Sequence, residues 1–194
     1  ISAVPQDLKF QGEDTTAEVG DNNKIRENVT INRGTAAKGK TCVGSGNLLM
    51  ESVHVAHDAF VGNDCIIGNG TKLAGEIIID DHAIISANVL MHQFCRVGGY
   101  TMVGGGTRFS QDIPPYTICA REPVAYCGLN LVGLRRRGFS NELIENIHNA
   151  YRIIYQGGVP LNEALQKVRE EVPASPEINY IIEFIENSKR GFVH

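Results

Sequence analysis

His57, Gly75 and Gln93 stand 18 residues apart, and each follows by two places an apolar residue, Val55, Leu73 or Met91. If 18 residues make one turn of a winding chain, the three fall in a single outward-facing column, on levels about 4.8 Å apart as in any ladder of strands. A neutral imidazole near pH 7 can take a proton from a hydroxyl, and Asp58 beside it, or another carboxylate, can fix its tautomer. Gly75, one level on, can offer its backbone N–H to the oxyanion of an acyl-transfer intermediate with no side chain in the way. The bland alternative makes His54, His57 and His92 solvated residues and Gly75 a turn glycine, and a lone histidine would not separate the two. The shared column favours the first.

Such a column needs a repeat to carry it. From residue 19 to 109 an apolar residue recurs at every sixth position: Val19, Ile25, Ile31, Ala37, Val43, Leu49, Val55, Val61, Ile67, Leu73, Ile79, Ile85, Met91, Val97, Val103 and Phe109. Neither a helix period of about 3.6 nor a strand period of about 2 produces a strict six, whereas a triangular solenoid with six residues to a face does. Four places after the aliphatics come small or β-branched residues such as Thr41, Ala59, Cys65 and Thr71, which suit a narrow interior. Glycine often follows the aliphatic directly (Gly20, Gly44, Gly62, Gly68, Gly98, Gly104), where it allows a positive φ or a sharp bend. A β-sandwich would show alternation and irregular spacing instead.

The lattice is expected to stop at Pro114-Pro115, since two prolines remove ladder donors. A looping connector then spans residues 116–138. Ser140 reads as a helix N-cap with Glu142 in the first turn, and Leu143, Ile144, Ile147, Ala150, Tyr151 and Ile154 form one face before Gly157-Gly158 ends the helix. A second helix follows Pro160, and a third starts from Ser175 with Pro176 at its first position. The organisation predicted is mainly β: a parallel β-helix over 1–115, the connector, and a C-terminal helical domain over 139–194. Filled coils leave only outer faces or subunit clefts for a site.

Composition narrows the classes of function. A net charge of −4 with no dominant basic face argues against nucleic acid. No run approaches the roughly 18 apolar residues of a membrane span, and no signal sequence is seen. Ile1 opens the chain in mid-pattern, as in a fragment lacking its first coils. Five cysteines (Cys42, Cys65, Cys95, Cys119, Cys127) without a C-x-x-C pair point to a reducing compartment. His54-x-x-His57 has a spacing compatible with zinc, but the two occupy different columns of one coil and His82 lies on another face, so no metal or other cofactor is expected. Arg135-Arg136-Arg137 is either a solvated patch or a set of guanidinium forks for phosphate.

The period-six pattern is similar to that of the bacterial hexapeptide acyltransferases, which form left-handed parallel β-helices and trimerise. Within them the chain closely resembles the UDP-N-acetylglucosamine 3-O-acyltransferases, which catalyse the first step of lipid A biosynthesis. The strings that carry the resemblance are Gln6-Asp7-Leu8-Lys9, Ile25-Arg26-Glu27-Asn28-Val29-Thr30-Ile31, Asn47-Leu48-Leu49-Met50, His57-Asp58, Leu73-Ala74-Gly75, His92-Gln93-Phe94, Gln111-Asp112-x-Pro114-Pro115-Tyr116 and Gly133-Leu134-x-Arg136-Arg137-Gly138-Phe139. Asn149-Ala150-Tyr151 extends the likeness into the helical tail.

The resemblance implies a cytoplasmic homotrimer with active sites between subunits, where a 3-hydroxyacyl chain passes from acyl carrier protein to the glucosamine 3-hydroxyl of UDP-N-acetylglucosamine. His57 then matches the general base, Asp58 its carboxylate and Gly75 the oxyanion donor. Asp7 matches a sugar contact and Lys9 a lysine near the acyl group, while His54, His92 and Gln93 match the groove lining. Asn130, Arg136 and Arg137 match the nucleotide end, and Gly105 the position that sets acyl length. Glu76 departs from the histidine often found after the oxyanion glycine, and Pro123 and Val132 stand where polar residues are familiar. An acceptor bearing a 3-amino group stays open. So do three rivals: the later N-acyltransferase of the same pathway, a zinc γ-class carbonic anhydrase on the same solenoid, and a non-catalytic scaffold.

Overall fold

In the computed structural model, which describes residues 1–194, residues 16–120 wind through three stacks of short parallel strands. The first face stacks Thr16–Val19, Lys40–Val43, Phe60–Val61, Ile78–Ile79 and Arg96–Val97. The second stacks Lys24–Ile25, Leu48–Leu49, Ile66–Ile67, Ile84–Ile85, Met102–Val103 and Thr117–Ala120, and the third Thr30–Ile31, His54–Val55, Lys72–Leu73, Leu90–Met91 and Arg108–Phe109. Successive side chains of a strand point to opposite sides, so the second residue of each pair enters the interior. Val61, Ile67 and Leu73 are fully buried there, one per face, and Cys65, Ala83, Val89 and Cys95 fill the spaces between coils. Phe60 pairs with Ile78 and Val61 with Ile79, the 18-residue register that the repeat predicts.

Each corner turns on one residue in the left-handed region. Ser52, Asp58, Asp64, Glu76, His82, Asn88, Phe94 and Tyr100 have φ between +53° and +68°. This corrects the expectation that the glycines after the aliphatics supply that conformation. They are needed for closeness instead: a Cβ on Gly68 would lie 2.6 Å from the backbone nitrogen of Ala87 on the next coil.

The period of six is also interrupted once. Lys24 pairs with Leu48 and Thr30 with His54, which makes the first turn 24 residues long. The additional hexad, 34–39, loops out at the corner between the third and first faces, and Ala37, expected inside, is exposed. Nor do the prolines end the lattice. Ile113 bridges Val97, and Ile118 and Cys119 pair with Met102 and Val103. Pro114 sits at a corner, where a missing N–H costs no ladder bond, and its carbonyl accepts the hydroxyls of Thr101 and Thr117. The stretch expected as a connector is ordered: Thr117–Ala120 and Ala125–Leu129 form an antiparallel pair, followed by the short helix α1 (Leu131–Arg136).

Three longer helices follow, α2 (Asn141–Gln156), α3 (Leu161–Glu171) and α4 (Pro176–Glu186). Ser140 and Ser175 cap α2 and α4 by accepting from the N–H of Leu143 and Ile178, as their sequence positions predict. Apolar stripes such as Ile144, Ile147 and Tyr151 meet Ile178, Ile182 and Ile185 in a second core. Tyrosines tie this core to the solenoid: the Tyr151 hydroxyl donates to the Pro115 carbonyl at 2.6 Å, and that of Tyr180 to the Asp80 carboxylate at 2.5 Å. Val193 returns to the solenoid interior, with its N–H on the Asp112 carbonyl. No helix is long and apolar enough to cross a membrane.

Candidate active site

His57 lies at the corner between the third and first faces, just after strand His54–Val55. Gly75 and Gln93 occupy the same corner one and two coils on, so the expected column exists, and all three border one groove of about 410 Å³. His54, Lys72, Leu90, Met91, Ala74 and Gln6 complete most of its wall.

Nδ1 of His57 is 2.8 Å from Oδ2 of Asp58. Asp58 is fully buried at the side chain and accepts the Thr35 hydroxyl at 2.6 Å and the Thr35 N–H at 2.9 Å, while its own N–H donates to the Thr41 hydroxyl. Burial pushes the Asp58 carboxyl up, but the bonds from Thr35 and His57 outweigh it and hold the group below the usual carboxylate range. An ionised Asp58 accepts only, so Nδ1 of His57 carries the proton and Nε2 keeps its lone pair. That lone pair borders Gly75. A Cβ on Gly75 would stand 2.6 Å from Nε2, so only glycine leaves the imidazole room. The Gly75 N–H donates to no protein acceptor, although its carbonyl accepts from Phe94.

His54 sits on the third face with Nδ1 2.7 Å from the Thr30 hydroxyl. Burial first, then the neighbouring Lys72 and His57, lowers its pKa, which leaves a neutral polar wall for the groove. His92 and Gln93 are exposed, with Nδ1 of His92 on the Gln93 carbonyl at 3.1 Å. Glu76 turns away toward Lys38, 3.8 Å distant.

The remaining sequence candidates lie elsewhere in the chain. Asp7 and Lys9 share a turn, the Lys9 N–H on the Asp7 carboxylate at 2.9 Å, and neither borders the groove. Asn130 is buried and caps α1, accepting from Gly133 and donating to the Tyr100 carbonyl. Arg136 and Arg137 end that helix, and Arg137 reaches His82 at the corner between the first and second faces. Gly105 is exposed at the third corner, between Met102–Val103 and Arg108–Phe109. Val132 and Pro123 are exposed. Within one chain no three His, Cys, Asp or Glu side chains converge as metal ligands would.

Sequence reasoning missed Lys72 and Thr35. Lys72 is legible in retrospect, since His54, Lys72 and Leu90 are register partners on the outer side of the third face. Thr35 has no such signal, because the additional hexad removes it from the 18-residue count.

A parallel β-helix wound on a period of six places the chain in the hexapeptide class, and its groove sets a histidine–carboxylate pair beside a bare glycine. Comparison with known proteins agrees. Residues 112–193 match the family described as UDP N-acetylglucosamine O-acyltransferase, domain 2. The crystal structure of LpxA, a UDP-N-acetylglucosamine acyltransferase from Bacteroides fragilis, is 73% identical over 100% of this chain and 76% of that one, with a TM-score of 0.97. The UDP-N-acetylglucosamine O-acyltransferase of Moraxella catarrhalis is 42% identical over the same shares, with a TM-score of 0.96. LpxA from Acinetobacter baumannii is 38% identical over 100% of this chain and 76% of its own, with a TM-score of 0.95. The chain therefore belongs to the UDP-N-acetylglucosamine acyltransferase family, with its left-handed parallel β-helix followed by helices.

Proposed function

We propose that the chain transfers an (R)-3-hydroxyacyl group from acyl carrier protein to the glucosamine 3-hydroxyl of UDP-N-acetylglucosamine, the first step of lipid A biosynthesis. The observation that carries this reading is the free Nε2 of His57 beside the Gly75 amide, with Nδ1 held on Asp58. Nε2 removes the proton of the sugar 3-hydroxyl as its oxygen attacks the thioester carbonyl. The resulting oxyanion takes the Gly75 N–H, which makes no competing bond. Collapse of the intermediate breaks the carbon–sulfur bond, and the imidazolium gives its proton to the departing thiolate. Asp58 stays ionised throughout and orients the ring.

Within this reading His54, His92, Gln93, Asp7 and Lys9 contact sugar and acyl chain, Asn130, Arg136 and Arg137 the nucleotide, and Gly105 the acyl terminus. These groups occupy different corners of one chain, so a complete site needs a second copy. The outer side of the second face supports this: Leu48, Ile66, Ile84, Met102 and Ile118 form an apolar stripe, whereas the third face presents Leu90 among the polar Thr30, His54, Lys72 and Arg108. A homotrimer in the cytoplasm, meeting acyl carrier protein as donor, fits both. The test is a mass spectrum of the product formed from UDP-N-acetylglucosamine and a set of 3-hydroxyacyl carrier proteins. An ester on the 3-oxygen is expected. No product, or an amide formed only on an already acylated sugar, would remove the reading in favour of the N-acyltransferase.

A further inference from the structure

We infer that His82 is a positioning residue for nucleotide binding, holding the Arg137 guanidinium in place as a neutral hydrogen-bond acceptor; the inference rests on the reading of Arg137 as a diphosphate contact. Nη1 of Arg137 is 2.9 Å from Nδ1 of His82. A guanidinium has donors only, so Nδ1 must accept, and the imidazole is neutral with its proton on Nε2. Tyr100 braces both partners: its ring lies 4.7 Å from that of His82, and the Arg137 guanidinium stands 5.8 Å over its face.

The groups that face His82 are Arg137 from the end of α1, Asp64 from the coil before, with Oδ2 3.7 Å from Nδ1, and Asp81 beside it in sequence. Burial and the Arg137 cation pull the imidazole pKa down, and the two carboxylates only partly oppose them. The neutral ring is thus the form this corner supports. Arg137 is otherwise exposed at the C-terminal end of a six-residue helix, where a long side chain samples many rotamers. An acceptor and an aromatic face that hold it before an anion arrives reduce the ordering cost at binding. The remaining donors of the fork stay free for phosphate oxygens.

His82 has φ +63°, a conformation that Asn accepts readily and that Phe94 shows a phenylalanine can adopt in this same lattice. Two variants therefore separate acceptor from bulk. His82→Asn keeps an acceptor near Nδ1, whereas His82→Phe keeps a ring against Tyr100 and loses the acceptor. Steady-state kinetics should show KM for UDP-N-acetylglucosamine raised about three- to tenfold in His82→Phe, with kcat within about twofold and KM for the acyl donor unchanged. His82→Asn should stay close to the parent, and His82→Phe should add nothing to Arg137→Ala. Nitrogen-15 spectra of the intact protein should report the Nε2–H tautomer of His82, and Arg137→Ala should erode that preference. If Arg137→Ala raises KM but His82→Phe does not, or if Asn fails as badly as Phe, the inference falls while the nucleotide reading stands. If Arg137→Ala leaves KM unchanged, the nucleotide reading of this corner falls and takes the inference with it.

Discussion

The proposed reaction turns on which nitrogen of His57 is free. Asp58 decides that, because its buried carboxylate accepts from Thr35 twice and from Nδ1 of His57 once. Its pKa is depressed on folding, so the stability it contributes is fully present above the ordinary carboxylate pKa and is lost only as pH falls through the lowered value. Asp58 therefore stays ionised across neutral and mildly acidic pH. His57→Ala should lower kcat by about 10²- to 10⁴-fold and leave the fold intact, which parallel rate and circular-dichroism measurements would check. Near-normal kcat at saturating substrate would show that another group is the base. Gly75→Ala should be damaging for a different reason. Its methyl would meet the His57 ring, so rates should fall with no change in the ionisable groups, and a crystal structure of the variant should show the imidazole displaced.

Among the elements, the hexad 34–39 and helix α4 do the positioning. The hexad loops out at the corner that carries His57 and delivers Thr35 to Asp58. A sixfold pattern cannot reveal such a loop, since Ala37 is apolar and falls on the count, and only the 24-residue pairing of Thr30 with His54 shows that it lies outside. The helix caps Ser140 and Ser175 were legible because an N-cap needs only local chemistry. What α4 docks against was not, for the partners of Tyr180 lie far away in sequence: it donates to Asp80 and accepts the Gly99 N–H at 2.8 Å. Tyr180→Phe would leave both groups short of a partner at a half-buried interface. The expected cost is about 1–3 kcal/mol, seen as a lower midpoint in denaturant with kcat little changed. An unchanged midpoint would mean that water replaces the hydroxyl without loss.

At the scale of the whole molecule, three corners carry three different parts of the proposed site. His57 and Gly75 occupy one, His82 and Arg137 the second, and Gly105 the third. Ile84→Lys places a charge in the outer apolar stripe of the second face without entering the coil interior. Light scattering should then show loss of the proposed trimer, and activity should be lost with it although the solenoid stays folded. A fully active monomer would show that one chain suffices. Gly105 gives a separate test. A Cβ there meets the Ala87 carbonyl at 3.3 Å and otherwise has space, so Gly105→Met is compatible with the coil. Each buried methylene is worth about 0.8 kcal/mol, so a filled groove end should discriminate steeply. The parent should prefer donors of roughly 14 to 16 carbons and the variant shorter ones, judged by kcat/KM across donor lengths. The same profile in both would make Gly105 a turn residue only.

The sequence by itself determined the solenoid, the 18-residue column of His57, Gly75 and Gln93, and the three long helices, two of them with serine caps. Each of these depends on spacing along the chain, and spacing survives in one dimension. Tertiary structure alone decided that residues 117–129 continue the second face past two prolines, that Thr35 orients Asp58, and that His82 meets Arg137 across 55 positions. Those contacts join residues whose separation follows no period. Burial, and the hydrogen bonds that burial makes obligatory, selects them only once the coils have closed.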